Sequence, residues 1–182
     1  TRSHFEAQDL MEHGGFVAGG WLGRFLRYRS TRATGPLSAV AIGKTVPEAL
    51  RGAPATTVIE SLQEFSLGAN SAALTKELKH LYAAQNNLLG KAGGDTLAAI
   101  QKIEKLRNVP YQPENGADYG TDNFAQGLRQ VARMLKGGVS LEAASLDLDG
   151  WYSHFNQGPL IDPLMVRLAK GLAAFYRDMV KA

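Results

Sequence analysis

Cysteine is absent from this chain of 182 residues. That excludes disulfides, thiol catalysis and zinc sites built on cysteine, and it leaves the redox compartment open. Long apolar runs are missing too. None approaches the roughly 20 residues that a membrane-spanning helix needs, so no membrane span is expected. Charge of one sign is scarce: twenty Lys+Arg against seventeen Asp+Glu gives +3, too slight an excess to argue for a nucleic-acid partner. The chain contains no glycine-rich phosphate loop, no Gly-x-Ser-x-Gly elbow and no His-Glu-x-x-His pair. It starts Thr1-Arg-Ser-His with neither initiator Met nor signal peptide, as expected if a leader was removed or if the chain is internal to a longer one.

What is present suits one globular domain: 45% apolar residues with 20% charge. Ser3 with Glu6 fits a capping box and predicts a short helix with apolar contacts at Phe5, Leu10 and Met11, stopped by Gly14-Gly15. A second helix is expected over residues 20–29. Residues 37–42 (Leu-Ser-Ala-Val-Ala-Ile) read as a buried strand, 47–52 as one helical turn and 57–59 as a short extended piece. Leu74, Leu78, Leu81 and Leu88 predict a helix over 71–89 that Gly90 stops, followed by one over 96–107 capped by Asp95, with Leu97, Ile100, Ile103 and Leu106 on its face. A proline-rich loop at 110–116 precedes a helix starting at Thr121 and ending at Gly137-Gly138. Residues 141–148 form the best strand, and 159–180 the last long helix. About six helices with two or three strands predict a helix-rich α/β fold whose few strands are parallel.

Two clusters are candidates for chemistry. At the chain start, Ser3 is either a helix cap or a nucleophile toward a phosphate or sulfate bound by the helix N-terminus, and His4 either a ligand or substrate contact or an ordinary exposed histidine. Around the end of the 141–148 strand, Asp147, Asp149 and His154 combine carboxylate with imidazole, a donor set suited to a divalent metal such as Zn²⁺, Mn²⁺ or Mg²⁺. A strand-edge residue and an Asp-Gly turn explain the two carboxylates equally well. His13 and His80 read as surface histidines. Arg24, Arg27, Arg29 and Arg32, interleaved with Phe25 and Tyr28, form either an anion site or a solvated basic helix end.

Five stretches occur in order: Arg2-Ser-His-Phe-Glu-Ala-Gln8; Gly20-Trp-Leu-Gly-Arg24; Ala41-Ile-Gly43; Leu50-Arg-Gly52; and Gly150-Trp…His154…Gln157-Gly158. Together they resemble an exported bacterial family, domain of unknown function 1501, of the alkaline-phosphatase and sulfatase superfamily. The resemblance implies a partial alkaline-phosphatase-like fold, few parallel strands flanked by about six helices, forming the central portion of a longer domain. It implies a periplasmic or exported location and hydrolysis of a small anionic phosphate or sulfate ester with the help of a divalent metal (Zn, Mn, Mg or Ca). Carried over residue by residue, it makes Ser3 the candidate nucleophile, His4 the histidine of the Ser-His-Phe motif, His154 a metal ligand, and Arg2 and Arg24 anion contacts. In the family pattern Gly-Trp-Asp-Thr-His the aspartate is a ligand; here Tyr152 stands in its place, with Asp149 as the nearest carboxylate. A non-catalytic binding or structural member of the same family is the alternative that this exchange implies.

Overall fold

In a computed structural model of the chain, the structure describes residues 3–29, 35–68, 71–152 and 156–180. The elements run α1 (His4–His13), α2 (Trp21–Arg29), β1 (Ala39–Ile42), a short 3-10 helix (Glu48–Leu50), β2 (Thr57–Ile59), α3 (Ser71–Ala83), α4 (Leu88–Arg107), α5 (Asn123–Lys136), β3 (Ala143–Leu146) and α6 (Gly158–Met179). This is a helix-rich α/β chain with one small parallel sheet, in the order β2-β1-β3. No helix among the described residues is long and apolar enough to cross a membrane. The chain's contacts form two compact units, Thr1–Lys105 with Val139–Ser145, and Leu106–Gly138 with Leu146–Ala182.

In the first unit β1 is the centre. Its parallel register against β2 pairs Val40 with Thr57, Ala41 with Val58 and Ile42 with Ile59. A strand covered on both faces reads as an unbroken apolar run rather than an alternation, and Ala39, Val40 and Ala41 are all buried accordingly. Ala39 and Ala41 meet Leu26 of α2 and Leu50 of the 3-10 helix. On the other border Ser38 O accepts the amides of Glu142 and Ala143, at 2.8 and 2.9 Å, where the chain enters β3. β3 is half as long as residues 141–148 promised, and Ser140 just before it turns with a left-handed φ of 64°.

The first helix follows its sequence signals at both ends. Ser3 Oγ accepts the Glu6 amide at 3.3 Å, and Gly14 takes the left-handed conformation (φ 67°) while Gly15 N–H reaches back to Leu10 O at 2.8 Å. Of the residues expected to make apolar contacts, only Leu10 is half-buried. Phe5 is 83% exposed and Met11 80%, and no residue of α1 is buried. Polar links hold this helix instead: His13 Nε2 lies 3.1 Å from Glu48 Oε2, and Trp21 Nε1 donates to Glu12 at 3.2 Å.

The middle helices need a correction. The chain breaks after Ala83 rather than running to Leu89, and α4 starts at Leu88, with Gly90 inside it. Asn87 is the cap: its Oδ1 accepts the Gly90 amide at 3.0 Å, and its carbonyl accepts Lys91 N–H at 3.1 Å. Asp95, expected as a cap, is an interior residue of α4. Gly90 and Gly93 serve packing: a Cβ on either would overlap the Tyr82 and Gln85 backbone or the Tyr82 ring of α3. The face of Leu97, Ile100, Ile103 and Leu106 is buried as expected, whereas Leu74, Leu81 and Leu88 are exposed. Leucine spacing alone does not tell which side a helix turns inward.

In the second unit α5 packs on α6. Tyr119, Ala125, Leu128, Ala132 and Ala174 form its core. Helix α5 starts two residues later than expected because Asp122, not Thr121, caps it. The carboxylate accepts from the Phe124 and Ala125 amides at 3.0 and 3.3 Å and also takes Arg167 Nε at 2.6 Å. That arginine, first among the causes, holds the Asp122 carboxyl below the usual carboxylate range.

Candidate functional site

The sequence-predicted site residues divide between the units. Ser3, His4 and Arg24 belong to the first; Asp147, Asp149 and Tyr152 belong to the second. Arg2, Arg32 and His154 lie outside the described residues. Ser3 is the N-cap of α1 and His4, exposed, its first helical residue. Arg24 is held at the other end of that helix. It donates to Gly19 O, and its second terminal nitrogen lies beside Gly14. A ten-residue helix is about 15 Å long, so Arg24 does not share an anion with Ser3. Arg27 likewise donates to a backbone oxygen, Gly52 O, at 3.0 and 2.7 Å. Arg29 lies 5.6 Å from the Phe25 ring centre. Much of the arginine cluster therefore ties down the glycine-bearing turns that α2 packs against.

Beyond β3 the chain leaves the strand's carboxyl end directly into Asp147, Asp149, Gly150 and Tyr152. Asp147, Asp149 and Tyr152 are all exposed, Tyr152 by 60%. Gly150 has a φ of 101°, which an L residue rarely adopts, and this bend brings it against Leu164 of α6. No group of three or more metal-ligating side chains occurs among the described residues. The described donors of the loop, two carboxylates and a phenol that binds such metals weakly, do not by themselves complete a site for a hard divalent ion.

A wholly buried carboxylate with a strongly lowered pKa lies elsewhere. Asp178, three turns past Arg167, has a wholly buried side chain in the last turn of α6. Its Oδ2 accepts the Tyr111 hydroxyl and, at 2.8 Å, the Tyr119 hydroxyl. Its Oδ1 accepts Glu114 N–H at 2.8 Å and Lys136 Nζ at 2.7 Å. Glu114 adds a second carboxylate to Lys136 at 3.2 Å. Asn115 Nδ2 closes the end of α6 by donating to Arg177 O and Val180 O at 2.9 and 2.7 Å. Burial alone would push the Asp178 carboxyl up. The Lys136 hydrogen bond, followed by those of Tyr111, Glu114 N–H and Tyr119, outweighs it and draws the group down to about 2. Burial and the Asp178 charge raise both tyrosines, and burial is outweighed at Lys136, whose two carboxylate partners hold it above the usual lysine range.

A carboxylate offers about four lone-pair directions, and all four are used here. Asp178 has no site left for a substrate proton and no exposure to receive one. The cluster is a structural lock tying the loop at 111–119 and the end of α5 to the end of α6. One sequence signal marked it: an acid in the last turn of a helix, where the dipole disfavours negative charge, calls for local cations or donors. The lock makes the second unit acid-sensitive. A carboxyl lowered from 3.8 to about 2 on folding stabilises the native state above pH ~4 and loses that contribution as pH falls from ~4 to ~2. The expected loss is about 2 kcal/mol, measured as the difference in denaturant midpoint across that window. Asp178→Asn should remove that part of the acid limb; an unchanged acid profile in the variant would contradict the assignment.

No protein-family model, curated protein or solved structure matches the chain.

Proposed function

We propose that this chain is part of a metal-dependent hydrolase of phosphate or sulfate esters of the family it resembles, with an alkaline-phosphatase-like sheet, and that with Tyr152 in place of aspartate it does not turn over by itself. The observation that carries the reading is the loop after β3. In open parallel α/β sheets ligands bind beyond the carboxyl ends of the strands, and here that end opens directly into exposed Asp147, Asp149 and Tyr152. Ser3 supports the same reading, as a hydroxyl on the first turn of a helix, where unpaired amides favour an anion. The periplasmic or exported location belongs with this proposal, as does the small anionic ester as substrate.

The divalent ion of such enzymes polarises the ester when bound. Because the described donors do not by themselves complete a site for it, the chain's own contribution reduces to orienting an anion at the α1 N-terminus and presenting the loop carboxylates. Tyr152 favours a second reading, a binding or structural member that has lost its metal. Tyr152→Asp separates the two. If the remaining ligand positions are intact, the variant should bind Zn²⁺ or Mn²⁺ at least about tenfold more tightly than the unaltered chain, followed by competition with a chromogenic chelator. No gain favours the non-catalytic reading. Stoichiometric metal together with turnover of aryl phosphates or sulfates by the unaltered chain would refute the inactivity.

A further inference from the structure

Helix α6 places Arg167, Lys170 and Arg177 along one side of a cleft of about 560 Å³ in the second unit. The segment from Asp118 to Asp122 that leads into α5 also lines it, as do the small residues Ala125, Ala173 and Ala174. The volume falls in the range of small-molecule sites. The charges are not equivalent. Arg167 is committed to Asp122 at 2.6 Å. Lys170 and Arg177 have no side-chain hydrogen-bond or ion-pair partner among the described residues. They are seven residues apart, almost two helical turns, so they share a face with about 10 Å between them along the axis. Asp118 lines the same cleft, with one oxygen occupied by Gly120 N–H at 2.8 Å. Three cations against two carboxylates leave one positive charge in excess.

A lone exposed lysine on a helix is ordinarily just solvated. Two cations without a side-chain partner among the described residues, two helical turns apart in one cleft that small apolar residues also line, differ, because the ligand that satisfies both must carry two anionic groups. We propose that this cleft binds an organic ligand bearing two oxyanionic ester groups, phosphate or sulfate, about 10 Å apart, with Lys170 taking one and Arg177 the other. Arg177 suits a planar, two-pronged contact with an oxyanion, and Lys170 acts as a point charge. Asp118 disfavours a third anionic group in the same cleft. The proposal concerns binding alone and stands apart from the metal loop.

Calorimetric titration of the whole chain at low salt tests it, with methyl phosphate, butane-1,4-diol bisphosphate, hexane-1,6-diol bisphosphate and the corresponding bis-sulfates. The six-carbon diesters should bind most tightly, and the better of the phosphate and sulfate series identifies the source of the oxyanion. Lys170→Ala and Arg177→Ala should each weaken that binding about tenfold. Asp118→Asn, which keeps an acceptor for Gly120 N–H, should strengthen it about twofold or more, a gain that misfolding cannot imitate. Circular dichroism establishes that each variant is folded. Equal affinity for methyl phosphate and the diesters, undiminished binding in either cation variant, or no gain in Asp118→Asn would overturn the proposal.

Discussion

Replacing Asp178 by alanine is expected to destabilise the second unit by about 3 to 5 kcal/mol. The loss does not come from volume. It comes from four donors, the Tyr111 and Tyr119 hydroxyls, Glu114 N–H and Lys136 Nζ, left facing a methyl group. Tyr119 is 4% exposed, so water cannot replace the carboxylate at its hydroxyl without opening the core that contains it. Since small domains are stable by only about 5 to 15 kcal/mol, this substitution removes a large part of what holds the unit folded. Tyr119→Phe, which removes a donor and leaves the charge paired, should cost about 1 to 2 kcal/mol. Guanidinium unfolding followed by circular dichroism measures both. An Asp178→Ala midpoint close to that of the unaltered chain would show that the cluster is not the lock described here.

The second large effect has the opposite sign to ordinary helix propensity. Glycine to alanine in a helix interior normally stabilises by up to about 1 kcal/mol. Gly23→Ala, in the middle of α2, should instead cost about 3 kcal/mol. A Cβ there would overlap Arg51 O, with Ala53 N and Arg51 C each 3.0 Å away. All of these are backbone atoms, so no rotamer change relieves the clash. Arg51 O is also fixed from its other side, accepting Gly20 N–H at 3.1 Å. Gly94→Ala in α4 is the control, because nothing lies within 4 Å of a Cβ at that position. It should gain stability by the usual amount. Thermal melting of the two variants gives shifts of opposite sign if close approach, not propensity, decides the residue at 23; two shifts of the same sign would contradict that.

Local chemistry was legible wherever a residue acts on its immediate neighbours. Ser3, Gly14 and Gly15 bound α1 as their types predict, and Leu37 to Ile42 contain a strand because a short apolar run between turn residues has little else to form. The face of α4 from Leu97 to Leu106 was equally plain. Failures came where two signals competed. Asp95 has the residue type of a cap and lies inside α4, while Asn87, within the stretch expected to be helical, is the residue whose Oδ1 accepts the Gly90 amide. Phe5 and Met11 look like core residues, yet α1 is held by His13 and the Glu12–Trp21 pair and leaves its apolar side chains in the open.

For the candidate sites the contrast is sharper. The sequence by itself determined the absence of thiol chemistry and the cap at Ser3, because each depends only on which residue occupies a position. Tertiary structure alone decided that Arg24 belongs to the far end of α1 from Ser3, and that Asp178 is saturated by donors up to 67 residues away. It alone placed Lys170 and Arg177 unpaired along a cleft. Charge, burial and hydrogen bonding are properties of neighbourhoods, and these neighbourhoods are assembled from residues too distant in the chain for any local pattern to record.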